Sequence, residues 1–121
     1  MSRAALVVDD STTLQEMVSF TLTKAGFAVT RAGNGQEAMG RLQSGKFDLI
    51  ITDLNMPVMD GIAFIKNVRT LPSFKFTPVL MLTTEGSDER KQQGRAAGAT
   101  GWLTKPFDPE KLLTIVKKVV P

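Results

Sequence analysis

The fold is decided by the stretch AALVVDDSTTLQEMVSFTLTKAG at residues 4–26, in which a short apolar run is followed by a longer amphipathic segment. Residues 4–8 are apolar without alternation, a pattern typical of a strand that is buried on both faces of a parallel sheet. From residue 14 to residue 25 apolar side chains recur at helical spacing, and Gly26 then ends the predicted helix. The stretch therefore predicts one strand followed by one helix.

The same unit of strand and helix repeats along the chain. Five strands alternating with five helices predict an α/β fold with a doubly wound, flavodoxin-like parallel sheet. Right-handed crossovers favour the strand order 2-1-3-4-5, with the more polar second strand and the short fifth strand at the edges. A chain of 121 residues is the size of one domain, and we expect a single domain over residues 1–121. The predicted strands are 4–8, 28–32, 49–51, 78–82 and 100–103, and the helices begin near Thr12, Asn34, Asp60, Ser87 or Asp88, and Asp108.

Two of the predicted helices have distinctive sequences. The first has Thr12 and Gln15 at the spacing of a capping box, in which each side chain binds the backbone N–H of the other residue. The fourth, from Asp88 to Ala97, has only alanines as apolar side chains, Ala96 and Ala97. Such a helix buries little apolar area, so we expect it to move at low free-energy cost.

The composition excludes several kinds of chemistry. The chain has no cysteine and no histidine, which excludes a disulfide framework, a thiolate or histidine metal site and a histidine-based catalytic triad. No apolar run approaches the roughly 18 residues that a membrane span needs, and we expect a cytoplasmic protein without membrane insertion. The net charge is +3, and Arg90, Lys91 and Arg95 share one segment without interleaved aromatic residues. That segment favours a solvated helix face over a nucleic-acid site.

Charged and hydroxyl side chains come directly after four of the predicted strands. Asp9 and Asp10 follow the first strand, Asp53 the third, Thr83 the fourth and Lys105 the fifth. In a doubly wound sheet these strand ends share one edge, where ligands bind. Three neighbouring carboxylates repel one another unless cations compensate their charge, and Lys105 supplies one positive charge. We therefore expect a hard divalent ion, and Mg²⁺ fits best because it needs only one or two carboxylates and keeps several waters.

This set of side chains has the parts for phosphoryl transfer onto a carboxylate. Asp53 is the candidate nucleophile because it follows the middle strand. The metal ion and Lys105 would neutralise the oxygens of the phosphoryl group, and Thr83 would donate a hydrogen bond to one of them. We expect the added negative charge to be met by movement of Thr83 or Lys105.

Several motifs together resemble the receiver domain of bacterial two-component response regulators. The resemblance covers essentially the whole chain and implies a phosphorylation-dependent signalling switch. Because no output domain follows, the chain looks like a stand-alone receiver, similar to the chemotaxis response regulators. The motifs are Val7-Val8-Asp9-Asp10, Asp53-Leu-Asn-Met-Pro57, Met59-Asp60-Gly61, Leu82-Thr83, Thr83-Thr-Glu-Gly, Gly98-Ala99, Gly101-Trp-Leu-Thr-Lys-Pro and Lys105-Pro106-Phe107.

The resemblance implies a role for each acidic residue of the predicted site. Asp53 is then the phosphoacceptor, and Mg²⁺ is held by Asp9, Asp10, Asp53 and the backbone carbonyl of Asn55. The positions of Asn55 and Glu85 match those that tune dephosphorylation in the family, and this pair resembles the fast-turnover chemotaxis type.

The resemblance also implies which residues act as the switch. Thr83 binds the phosphoryl group in the active state and Lys105 pairs with that group, while the family's cis peptide falls between Lys105 and Pro106. The family's switch aromatic is usually Tyr or Phe, and here it is Trp102. An indole is bulkier, and its N–H needs a partner when it is buried.

The partners implied by the resemblance are two proteins. A sensor histidine kinase supplies the phosphoryl group from a phosphohistidine, and a downstream protein binds the surface of helix 4, strand 5 and helix 5. The chain then catalyses its own phosphorylation and dephosphorylation. We expect a role in chemotaxis or motility, and the alternative is a stand-alone receiver that acts as a phosphate sink or regulates another pathway.

Two functions of other classes fit the sequence less well. A small aspartate-nucleophile phosphatase needs its nucleophile after strand 1 with Asp-x-Asp spacing, whereas Asp9 and Asp10 are adjacent. An FMN-binding module needs a first loop rich in Ser, Thr and Gly to hold a phosphate, which Asp9 and Asp10 would repel.

Overall fold

The computed structural model describes residues 3–84 and 87–120. Within these ranges five parallel strands form one sheet in the order 2-1-3-4-5 and alternate with five α-helices, which confirms the predicted architecture. One short 3-10 helix between α3 and β4 was not predicted. The strands are β1 (Arg3–Val8), β2 (Phe27–Ala32), β3 (Leu49–Thr52), β4 (Val79–Thr83) and β5 (Gly101–Thr104); the helices are α1 (Thr12–Lys24), α2 (Gly35–Ser44), α3 (Gly61–Thr70), the 3-10 helix η1 (Pro72–Phe74), α4 (Asp88–Ala97) and α5 (Pro109–Val119).

The sheet has an apolar core on each face because successive side chains of a strand point to opposite sides. Leu6 of β1 belongs to the core that contains Phe64 of α3, and Val7 belongs to the core that contains Leu112 of α5. The strands β3 and β4 are buried along their whole length and β1 along most of its length, whereas β2 and β5 are partly exposed at the edges. This burial fixes the central strands, and because the strands are parallel their carboxyl ends lie at one rim.

The start of α1 differs from the predicted capping box. Ser11 precedes the first helical residue with an extended backbone, and its hydroxyl accepts the N–H of Leu14 at 3.2 Å. Thr12 is already inside the helix, so it cannot cap it, and the amide of Gln15 donates to backbone carbonyls outside the helix. The capping-box prediction is therefore wrong. Of the two residues expected to start α4, Ser87 is the cap.

Helix α4 buries little side-chain surface, as predicted, and its C-terminal end is tied to α3 by Arg69. The guanidinium donates to the Gly98 carbonyl from Nε at 3.0 Å and from Nη2 at 2.7 Å. From Nη1 it also donates to the carbonyls of Phe74 at 2.8 Å, Lys75 at 3.2 Å and Thr77 at 2.7 Å. Gly98 closes α4 with a φ of 114°, and a Cβ there would lie 2.8 Å from Arg69 Cγ. Burial lowers the pKa of Arg69.

No helix within the described ranges combines the length and the apolar character that crossing a bilayer requires.

Replacing Arg69 with methionine is expected to lower the free energy of unfolding by about 2–3 kcal/mol, because partly buried backbone carbonyls lose a charged donor. Urea denaturation measures the loss. Arg41→Met is the matched control, since Arg41 is exposed and forms a 3.7 Å surface ion pair with Glu37. Equal losses in the two variants would contradict the assigned role of Arg69.

Candidate functional site

Three charged side chains meet at the rim formed by the carboxyl ends of β1, β3 and β5. The Lys105 Nζ lies 3.3 Å from Oδ2 of Asp9 and 3.3 Å from Oδ2 of Asp53. The two aspartates are only 3% and 6% exposed. One ammonium therefore faces two buried carboxylates, as the strand order led us to expect.

Asp9 is held by hydrogen bonds at both its backbone and its side chain. Its N–H donates to the carbonyl of Ala32 at 3.1 Å, and its Oδ1 accepts the N–H of Ser11 at 2.9 Å. Burial raises the pKa of the Asp9 carboxyl; the Ser11 N–H and the charge of Lys105 oppose this rise, and the charge of Asp53 adds to it. The net direction is upward, so Asp9 loses its proton less readily than an ordinary aspartate does.

Asp53 is fixed by the loop that follows it. Its Oδ1 accepts the N–H of Leu54 at 2.8 Å, and its own N–H donates to the carbonyl of Val8 at 2.9 Å. Gly61 donates its N–H to the Leu54 carbonyl at 2.8 Å and packs so closely that a Cβ there would overlap the carbonyl oxygen of Asp53. The first turn of α3 therefore lies directly against the backbone of Asp53.

Lys105 and Thr83 reach the rim on neighbouring strands. The Lys105 N–H donates to the Thr83 carbonyl at 2.8 Å, next to the paired residues Thr83 and Thr104. Thr83 is buried, and the Lys105–Pro106 peptide is cis, as the resemblance implies. A backbone hydrogen bond therefore joins the two residues at the ends of β4 and β5.

The acidic residues are close enough together to bind one metal ion. One carboxylate oxygen from each of Asp9, Asp10 and Asp53 lies within 4.8 Å of the other two. Asp10 is exposed, so the cluster is open to solvent on that side. Three converging anionic oxygens beside one ammonium fit a small hard divalent cation such as Mg²⁺.

The remaining predicted residues lie in different settings. Asn55 is exposed two positions after Asp53, and Glu85 lies outside the described residues. Trp102 is partly exposed on β5, with Lys91 Nζ 4.8 Å and Arg95 Cζ 5.2 Å from its ring centroid. The indole thus lies against two cations of α4 at cation–π distance.

Two residues that contact Asp9 were not expected to do so. Ser11 donates its N–H to the Asp9 carboxylate, and Gln15 donates its amide to the Asp9 carbonyl. Both belong to the start of α1, where helix capping explains a serine or a glutamine equally well. The sequence therefore has no signal that separates the two roles.

Comparison with known proteins agrees with this geometry. Residues 5–117 match the family model of the response regulator receiver domain. Among solved structures, the Vibrio cholerae chemotaxis protein CheY4 is 53% identical with a TM-score of 0.94, covering 98% of this chain and 99% of that chain.

Curated relatives include both short and long proteins. Chemotaxis protein CheY-3 of Vibrio cholerae is 38% identical over 115 residues, which is 94% of this chain and 88% of that protein. The phosphate regulon transcriptional regulatory protein PhoB of Escherichia coli is 37% identical over 120 residues, which is 99% of this chain. This chain spans about half the length of PhoB, 52%.

The raised pKa of Asp9 predicts how stability depends on pH when no metal is bound. Above the ordinary value of 3.8, and up to the raised value, the folded protein holds a proton that the unfolded chain has released. The free energy of unfolding therefore falls as the pH rises through this window. We expect Asp9→Asn to lose this fall and, in EDTA at neutral pH, to be more stable than the original chain, because no buried carboxylate has to be charged.

Thermal unfolding in EDTA between pH 4 and pH 8 measures this difference. Glu89→Gln, which neutralises an exposed acid of α4, is the control and should leave the pH profile unchanged. If Asp9→Asn were less stable than the original chain across the whole range, the electrostatic account of Asp9 would be wrong.

Proposed function

The chain belongs to the response regulator receiver domain family of two-component signalling, and we propose that it is a switch whose Asp53 accepts a phosphoryl group from a sensor histidine kinase. The observation that carries this proposal is the contact between Lys105 and the buried carboxylates of Asp53 and Asp9. A cytoplasmic location follows from the same proposal, because the kinase domain that donates the phosphoryl group acts there.

The transfer step needs one nucleophile and a means of spreading negative charge. A carboxylate oxygen of Asp53 attacks phosphorus, the bond from phosphorus to the imidazole nitrogen of the kinase breaks, and the imidazole keeps the electron pair. The Leu54 N–H fixes Oδ1 of Asp53, and Lys105 lies beside Oδ2. Lys105 is therefore placed to interact with the oxygens of the transferred group.

Mg²⁺ would be held by Asp9, Asp10, Asp53 and the backbone carbonyl of Asn55. When bound, it supplies positive charge that stabilises the phosphoryl oxygens in the transition state. The convergence of three carboxylate oxygens supports this assignment. Asn55 and Glu85 are the residues that we propose set the rate of dephosphorylation.

The signal would leave the site through Thr83, Lys105 and Trp102. The phosphoryl group adds negative charge at Asp53, and Thr83 moves to donate its hydroxyl to it. The backbone hydrogen bond between Lys105 and Thr83 couples the ends of β4 and β5. A change there reaches Trp102, which lies on β5 against the cations Lys91 and Arg95 of α4.

The downstream partner would bind the face made by α4, β5 and α5. On this face Trp102 lies between Lys91 and Arg95, so the α4 side suits an acidic protein segment with an apolar anchor. The α5 side carries charges of both signs: Lys111, Lys118, Asp108 and Glu110. The similarity to CheY4 and CheY-3 supports a role in chemotaxis or motility. A phosphate sink or a regulator of another pathway is the second candidate, supported by the 37% identity to PhoB, which is close to the 38% identity to CheY-3.

Acetyl phosphate with Mg²⁺ tests the proposal without a kinase. We expect one acid-stable, base-labile phosphoryl group by intact mass, and none on Asp53→Asn, because the variant lacks the nucleophile. Asp48→Asn is the matched control: Asp48 immediately precedes β3 at its other end and accepts the N–H of Ala4, and the variant should still be labelled. Labelling that persists in Asp53→Asn would overturn the assignment.

The same samples report on the switch, because Trp102 is the only tryptophan. Beryllofluoride with Mg²⁺ mimics the phosphorylated state and should change the fluorescence of Trp102. Identical spectra of the free, Mg²⁺-bound and beryllofluoride-bound protein would contradict a role for Trp102. Steady turnover of an added phosphate ester would instead indicate a phosphatase.

A further inference from the structure

The side chain of Gln15 lies next to the acidic site although it belongs to a helix. It is half-buried in the first turn of α1. Its Nε2 donates to the carbonyl oxygen of Asp9 at 2.6 Å and approaches the carbonyl oxygen of Ala32 at 3.3 Å. The Gln15 amide therefore bridges the two chain segments that leave β1 and β2.

These two hydrogen bonds extend the sheet beyond its last backbone pair. The strands β1 and β2 pair as far as Val8 and Ala32, and the Asp9 N–H still donates to the Ala32 carbonyl. The Gln15 amide then supplies the donor that the Asp9 carbonyl would otherwise take from solvent. Asp9 is thus held at its N–H, at its carbonyl and at both carboxylate oxygens.

The carbonyl that Gln15 binds belongs to the peptide unit that joins Asp9 to Asp10. A peptide unit is planar, so fixing its oxygen also fixes the direction in which the chain continues to the Cα of Asp10. Asp10 is exposed, yet one of its carboxylate oxygens lies within 4.8 Å of those of Asp9 and Asp53. The position of this exposed carboxylate therefore depends on the orientation of the peptide before it.

We propose that Gln15 is a positioning residue for the divalent cation site: it orients the Asp9–Asp10 peptide so that both carboxylates face Asp53. The inference rests on the proposed function, because it assumes that this cluster binds Mg²⁺. Residues that hydrogen-bond to a metal ligand and orient it, without touching the metal, typically contribute a factor of about 10–100 to metal affinity. Gln15 acts in this way through its hydrogen bond to the backbone carbonyl of Asp9.

The test compares Mg²⁺ affinity in the full chain and its variants. Gln15→Met keeps the size of the side chain but removes the donor, and Gln15→Ala removes both. Gln43→Met is the matched control, since Gln43 is an exposed glutamine near the C-terminal end of α2. Titration calorimetry with MgCl₂ at 15 °C gives the Kd, and circular dichroism checks that each variant is folded.

We expect both Gln15 variants to bind Mg²⁺ roughly tenfold more weakly than the original chain, and the control to bind as the original does. The rise in unfolding temperature caused by a fixed Mg²⁺ concentration should shrink in the same variants, since that rise follows the affinity.

If the Gln15 amide only joined β1 to β2 and did not orient the metal ligands, the Gln15 variants would give a different result. Gln15→Met would then unfold at a lower temperature but bind Mg²⁺ within twofold of the original affinity, and this outcome overturns the inference while leaving the proposed function intact. If the original chain bound no Mg²⁺ at all, the magnesium site of the proposed function would fail, and the inference with it.

Discussion

The Lys105 ammonium lies 3.3 Å from the Asp9 carboxylate and 3.3 Å from the Asp53 carboxylate, and the charge balance of the site depends on these two contacts. One cation between two buried carboxylates leaves a net negative charge, which the nearby Asp10 increases. Burying such charge costs free energy unless hydrogen bonds and cations compensate it. The N–H groups of Ser11 and Leu54 supply part of that compensation, and the divalent cation that we propose for the cluster would supply the rest. The fold can sustain this arrangement because the strands that carry it are anchored by apolar cores on both faces of the sheet.

Much of this arrangement could be predicted from the sequence. Apolar runs without alternation identify the central strands, and the order of the strands then brings Asp9, Asp53 and Lys105 to one edge. What could not be predicted are contacts made by polar side chains to backbone groups far along the chain. The sequence around Gln15 fits a helix-capping role and a hydrogen bond to the Asp9 carbonyl equally well. Likewise, no sequence signal distinguishes Arg69, which binds four backbone carbonyls, from an arginine on the surface. Such contacts depend on which backbone carbonyls the loops leave without a partner.

Helix α4 lies against Trp102 of β5, and its two ends are held differently. Arg69 binds the Gly98 carbonyl at the C-terminal end, whereas the N-terminal end follows β4 and Thr83. Lys91 and Arg95 of the helix lie at cation–π distance from the ring of Trp102. Between its ends Gly94 packs against the Met81 side chain. Because the helix buries little apolar area, we propose that it shifts when the charge at Asp53 changes. Such a shift would link a change of charge at Asp53 to the shape of the face formed by α4 and β5.

The most direct test of the central claim is to locate a metal ion among the carboxylates. A crystal of the protein grown with Mn²⁺ in place of Mg²⁺ shows the metal by its anomalous scattering. The account predicts a single strong peak bonded to oxygens of Asp9, Asp10 and Asp53, with Lys105 Nζ close by but not bonded to the metal. A structure in which the three carboxylates point apart and no anomalous peak lies between them would contradict the account.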